Sequence, residues 1–487
     1  MKIVIIGSGI AGLAAGIRLS TSGHDVHIVE QNAFPGGKAS NYYEKGFRFD
    51  LGPTLLTLPE HIDDLFHFAG EESHDYLSPQ QASISCRYFF PDQTRLTAFG
   101  DAEKFHEEVA KTGEDPKNVK SYLNRQKEIY DATHKLFMES PIHKLSTFTN
   151  KQSLAPLKMM PRLNMLKTVH QVNNKSFTTP YLVQLFDRYA TYNGSSPYKA
   201  PGIFTMIAHL EHTLGTYYLK DGMYSLPRAL ELLAQKTGVN FHYEEAVTKI
   251  LYNKNKVFGI ATTQHNIIEA DRVISNVDVN TTYQKLLPEV SVPKRIRNQS
   301  LSNSAIIFLW GMNKTFSDLE MHNILFSEDY KKEFQEIFKE DCLPGDPTLY
   351  IYISSKAIPS DAPEGKENWH IMINVPSNKG QNWDEWVIKA RQTIRKKIKD
   401  FININVDDHI VMEKVFDPRD IETRTGSWEG ALYGASSNSP MSAFLRHANF
   451  SRKIKGLYFC GGSVHPGGGI PLCLLSGKIT SELISQS

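Results

Sequence analysis

The chain predicts an α/β protein in which a discontinuous Rossmann-type unit sits beside a mixed β-sheet domain and a helical cap. Three observations carry this. The β-branched run KIVII leads directly into GSGIAGLAAG at the N-terminus, the strand–glycine turn–helix order of a doubly wound sheet. A second strand, glycine loop and helix stand near the other end, around FCGGSVHPGGGIP. Between them, Ala246–Ile250, Lys256–Ile260 and Ile267–Asn276 alternate in strand fashion and read as a β-meander with a returning strand.

Bulk composition narrows the function classes. A length of 487 residues allows two or three domains with filled cores. With 40% hydrophobic and 22% charged residues the chain is not disordered, and a net charge of +1 argues against a general nucleic-acid binder. Cys86, Cys342, Cys460 and Cys473 are scattered, without a CxxC pair or a histidine cluster. That pattern predicts a reducing compartment and no metal site. No stretch reaches the roughly 18 apolar residues of a membrane span, and the N-terminal apolar run is too short for a signal-peptide core. The expected location is cytoplasmic, with any membrane contact peripheral.

Along the chain, Lys2–Ile6 is the first buried strand, and Gly7, Gly9 and Gly12 follow at GxGxxG spacing. Gly7 serves the tight turn, Gly9 the approach of a pyrophosphate, and Gly12 close helix–strand packing. Leu13–Ser20 is the helix whose positive end would meet the phosphates. The second strand, His24–Val29, ends in Glu30, about 20 residues beyond the glycines, where an acid accepts from ribose hydroxyls and disfavours a 2′-phosphate. FAD and NAD share this fingerprint. The next turns, Gly36-Gly37-Lys38 and Gly52-Pro53-Thr54, bring backbone and a cation toward the same ligand. A helix at Ala229–Lys236 and a strand at Gly238–His242 begin the first return to this unit. The second return is Gly456–Gly462 with a helix at Leu472–Leu483. Its glycine loop forms a second helix start, suited to an electron-rich group such as a flavin edge.

Taken together, GSGIAGLAAG, EQNAFPGGKAS, FRFDLGPTLLTLP, YNGSSPYKAP, GMYSLPRAL, ADRVISNVD and FCGGSVHPGGGIPLCLLSGK resemble the phytoene-desaturase-like carotenoid desaturases, a branch of the FAD-dependent, amine-oxidase-like flavoproteins. The resemblance covers nearly the whole chain. In Arg188–Tyr198 it is most similar to 1-hydroxycarotenoid 3,4-desaturases. It implies an FAD-dependent oxidoreductase acting on CH–CH groups of a carotenoid, without metal, by hydride transfer to flavin N5 and loss of a neighbouring proton. The implied acceptor for the electrons is a quinone or oxygen. Alternatives within the resemblance are a phytoene or dehydrosqualene desaturase, a terminal-methyl carotenoid oxidase and a non-redox carotenoid isomerase.

The implied FAD contacts are Gly7, Gly9, Gly12, Glu30, Gly36, Gly37, Lys38, Gly52, Val247, Gly462 and Gly469. Ile10, Ala11, Gln31, Pro53, Thr54, Asn276, Ser463 and Ile470 stand in the same motifs. His465, on the second glycine loop, is either the base or a brace of that loop. Arg188, Tyr192, Tyr198 and Tyr217 are the expected substrate residues, with Arg188 and Tyr192 reading a hydroxyl or end group. The expected boundaries are 1–90, 228–290 and 449–487 for the FAD-binding domain, and 91–139, 180–227 and 291–448 for the substrate domain. The helical cap spans 140–179. There Lys144, Lys151, Lys158, Arg162, Lys167 and Lys175 are interleaved with apolar residues and no acid intervenes between Pro141 and Ser176, a pattern suited to an anionic lipid surface.

Overall fold

A computed structural model describes residues 1–144, 147–148, 159, 162–439, 442 and 445–486. Among these, Lys2–Ile6 is the centre of a five-stranded sheet with the order 457–459, 272–275, 2–6, 25–29, 240–242. Every pairing in it is parallel. Segments from both ends and the middle of the chain therefore share one sheet.

The first strand is apolar because both its faces are covered. Ile3 and Ile5 pack under the helices Ile10–Thr21, Ser225–Lys236 and Ile470–Ser485, whereas Val4 and Ile6 pack against the meander residues Ile250, Val257 and Ile260. Each such fully buried aliphatic side chain contributes about 1.5–3 kcal/mol. The meander is an antiparallel sheet of Val247–Asn253, Lys256–Thr262 and Ile267–Glu269; the returning strand Arg272–Ser275 leaves it to join the parallel sheet. The helices Ile10–Thr21 and Ile470–Ser485 touch closely at Gly477, where a Cβ would stand 2.7 Å from the Ala11 carbonyl oxygen.

A seven-stranded mixed sheet carries the second half of the molecule, in the order 410–416, 304–312, 367–375, 349–352, 322–325, 84–89, 95–99. Its two long strands are also buried on both faces. Ile306, Phe308, Trp310, Trp369, Ile371 and Ile373 pack under the helix Trp383–Ile402. The alternate residues Ile307, His370, Met372 and Asn374 face a cavity. Ile84–Phe89, inside the expected 1–90 boundary, pairs in parallel with His322–Leu325 and so belongs to this second sheet. A short apolar run signals a strand but not the sheet that accepts it.

Ile207–His212 is a short helix entered from a 3-10 turn at Gly202–Met206. Of the cap, the described part includes Leu163, fully buried against Ile129 and Ile203, and the helix Val169–Ser176 with a Thr168–Gln171 capping box. Lys151 and Lys158, with the stretch 149–158 that contains them, lie outside the described residues. Among the described residues no helix is long and apolar enough to cross a membrane.

Candidate functional site

One cavity of about 990 Å³ runs between the parallel sheet and the seven-stranded sheet. The first loop lines it with Gly7, Gly9, Ile10 and Ala11, and the end of the second strand with Glu30 and Gln31. Gly36, Gly37, Lys38, Gly52, Pro53 and Thr54 line it from the two turns that follow. Val247, Asn276, Gly462, Ser463, Gly469 and Ile470 complete this half. Gly12 stands just behind, where a Cβ would meet the Gly7 carbonyl oxygen at 2.3 Å. Its part is the close helix–strand approach.

Two helices begin at this cavity, at Gly9 and at Gly469, and neither has a side-chain cap. Their first-turn N–H groups lack intrahelical partners, and the helix dipoles make both ends positive. Gly469 has φ +102° and open space where a Cβ would stand. Asn276 ties the two loops together: its Nδ2 donates to the Gly7 carbonyl at 3.2 Å, and its Oδ1 accepts from the Cys460 thiol at 3.7 Å.

The buried Glu30 carboxylate already accepts four hydrogen bonds. Ser8 donates through N and Oγ, each at 2.8 Å, and Asn32 through N at 2.9 Å and Nδ2 at 2.8 Å. Two of these four donors are rotatable side chains. At the other loop, Lys38 donates from Nζ to the Leu432 carbonyl at 2.5 Å and the Ala431 carbonyl at 3.3 Å. Burial lowers its pKa, opposed by Asp278. Arg446 donates to the carbonyls of Tyr433 and Gly462 at 2.8 and 3.0 Å, and burial brings it down to about 10. Burial raises Asp278 and pushes the Cys473 thiol up to about 11. A half-buried Lys38 and a buried Arg446 around one acid leave this end suited to an electron-rich group.

These observations fit a bound dinucleotide: uncapped helix starts for its phosphates, an acid for its ribose, and cations for an electron-rich ring edge. Asp278, Arg446, Cys473 and Tyr433 were not foreseen from sequence. Asp278 stands inside ADRVISNVD, so its motif marked the segment without marking the side chain.

The half of the cavity walled by the seven-stranded sheet presents Ile307, Ile324 and Met372, with Tyr350, His370 and Asn374 between them. Arg188 and Tyr192 line it. Tyr198 and Tyr217 do not: Tyr198 packs its ring on His170 with centroids 4.6 Å apart. Tyr217 sits in a short strand paired to Pro79–Gln81 and bridged to Leu56. Side-chain direction in both follows packing partners that are remote in sequence.

His465 also stands outside the lining. Its Nε2–H donates to the Ser140 carbonyl at 2.9 Å, its ring meets His143, and burial lowers it to about 3. The geometry makes it a brace of the glycine loop. His370, not singled out from sequence, does line the cavity; its Nδ1–H donates to the Asp50 carbonyl at 2.9 Å and its buried Nε2 has no partner among the described residues. Among the described residues no three His, Cys, Asp or Glu side chains are grouped to hold a metal ion.

Residues 10–485 match the family described as flavin containing amine oxidoreductase. The chain is 48% identical to a Flavobacterium sp. protein named 1-hydroxycarotenoid 3,4-desaturase, over 100% of this chain and 99% of that one. It is 31% identical to a 4,4'-diaponeurosporene oxygenase of Staphylococcus haemolyticus, over 99% and 97%. Among solved structures, an oxidoreductase from Methanosarcina mazei shares the fold, with a TM-score of 0.65 at 16% identity over 100% of both chains.

Proposed function

Because the chain belongs to the flavin containing amine oxidoreductase family, we propose that it is an FAD-dependent carotenoid desaturase forming the 3,4 double bond of a 1-hydroxycarotenoid. The observation that carries the reading is a single cavity in which a dinucleotide cradle opens onto an apolar wall. The choice of substrate rests on the relative that is 48% identical over the full length.

When bound, FAD supplies the two-electron acceptor for the hydrogens lost from carbon. The chain's own residues do the rest. Backbone N–H groups at the Gly9–Gly12 helix start hold the pyrophosphate. Glu30 takes the ribose hydroxyls. Ser8 Oγ and Asn32 Nδ2 are the donors that can rotate away for them, while the two backbone bonds keep the carboxylate in place. Val247 offers backbone to the adenine, and Lys38 with the helix start at Gly469 faces the ring edge. Ile307, Ile324 and Met372 exclude water and align the polyene. No base role is assigned to His465. A quinone or oxygen is the proposed terminal acceptor, supported by the lack of a second GxGxxG in the sequence. Contact with a lipid surface is proposed for the stretch Arg162–Lys167, where Leu166 is 98% exposed.

The test is conversion of acyclic carotenoids by the flavin-loaded protein, with products resolved by mass. A 1-hydroxycarotenoid should lose two hydrogens and gain one conjugated double bond. The relatives named oxygenases favour a second reading, oxidation at a terminal methyl, which would show as a gain of oxygen. An isomer of unchanged mass, or conversion of phytoene to coloured products, would overturn the proposal.

A further inference from the structure

We infer that Arg188 anchors a neutral oxygen atom, as in a hydroxyl, ether or carbonyl, at one end of the substrate's hydrocarbon chain. This rests on the carotenoid reading above and assigns the part of the cavity that selects the end group.

Arg188 is only 8% exposed and lines the cavity. Its Nη2 donates to the Tyr88 hydroxyl at 2.9 Å and to Glu211 Oε1 at 3.4 Å. Tyr88, Tyr189 and Tyr192 surround the guanidinium, with ring centroids 5.0 to 5.4 Å from its carbon. Its Nε is buried without a partner, and its Nη1 meets no protein acceptor among the described residues. Nε is sealed off from the cavity, so among the described residues the unused donors that this fixed cation keeps on the cavity wall are those of Nη1, and such donors call for an acceptor.

Which acceptor follows from charge. Glu211 is 2% exposed and accepts from the Tyr189 hydroxyl at 2.9 Å and from the Tyr192 hydroxyl. Burial acts to raise its pKa, but Arg188 beside it leaves the carboxyl below its ordinary value. The pair is thus a carboxylate with a guanidinium and is already neutral. A carboxylate or phosphate added there would be an uncompensated charge in a dry site. Arginine has donors and no acceptor, so the matching atom carries a lone pair and no charge. The Tyr192 hydroxyl, committed to Glu211, does not compete for it. An end group without oxygen leaves the arginine donors unpaired, the situation in which a site built for a hydroxyl rejects its deoxy analogue.

The experiment titrates the flavin-loaded protein, in detergent, with an acyclic polyene bearing a tertiary hydroxyl at one end and with the same polyene lacking it, following the polyene absorption. Wild type should bind the hydroxylated form about 10- to 100-fold more tightly, the range of one hydrogen bond to a charged donor. Arg188→Lys, which loses the planar fork, and the charge-neutral double variant Arg188→Gln/Glu211→Gln should bring the two affinities within about threefold. The convergence should come from weaker binding of the hydroxylated form, tighter binding of the deoxy form, or both. Flavin content and near-ultraviolet dichroism equal to wild type establish that the variants are folded. An absent preference in wild type, or a preference that survives in both variants, overturns the anchor. Product formation is read separately: binding preference with no desaturation removes the enzymatic reading and leaves the anchor standing.

Discussion

At His465 a single residue ties together three parts of the molecule. The ring donates to Ser140, while the residue's own carbonyl accepts from Asn449 Nδ2 and Ser476 Oγ, each at 2.9 Å. Removing the ring deletes one of the two hydrogen bonds to the Ser140 carbonyl, which keeps the one from Ile142 N at 2.9 Å, and opens a cavity, a loss of about 1–3 kcal/mol. His465→Ala should therefore melt at a lower temperature. Once loaded with flavin it should keep turnover within a few-fold of wild type, with an unchanged pH profile of kcat/KM between pH 6 and 9. Loss of one limb of that profile would restore the histidine as a base. The glycines were legible because their demand is on backbone, which local pattern encodes. The direction of the His465 ring was not, because Ser140 and His143 come from a segment more than 300 residues away.

Among the elements, the short stretch before the helix Val169–Ser176 divides its residues sharply. Leu163 is fully buried, whereas Leu166 is 98% exposed and Arg162 and Lys167 lie on the surface, Arg162 at 4.0 Å from the Glu128 carboxylate. An apolar side chain held out between two cations is the arrangement that enters an anionic interface, where each cation adds about 1 kcal/mol. Replacing Arg162 and Lys167 by glutamate together should lower co-sedimentation with anionic vesicles by at least about tenfold and leave binding to neutral detergent micelles unchanged. Equal vesicle binding would exclude this stretch as the contact. Sequence marked the charge pattern here, but only the packing of Leu163 on Ile129 and Ile203 decided which apolar residues stay outside.

Over the whole molecule, burial holds several histidines neutral. His212, His322, His370 and His447 are lowered to about 4. Their folded values lie below the unfolded value of about 6.5, so as pH falls the unfolded chain binds protons that the fold refuses. This stability is complete above about pH 6.5 and declines toward pH 4, by up to about 1.4 kcal/mol per pH unit for each group. Asp187, Asp278 and Glu333, raised by burial, act in the opposite sense. Comparing wild type with His447→Gln isolates the histidine contribution: between pH 7 and 5 the variant's Tm should fall less steeply. Parallel curves would show that His447 does not contribute.

By itself the sequence determined the parallel sheet, its two glycine-started helices and the segments that line the cavity. These follow from β-branched runs, glycine spacing and turn residues, all of which act within about ten residues. The tertiary structure alone decided that Ile84–Phe89 joins the second sheet, that Tyr198 and Tyr217 turn into packing, and that Arg188, beside Glu211, keeps donors without a partner among the described residues. Those outcomes depend on strand pairing, side-chain direction and charge compensation between residues that only the closed fold brings together.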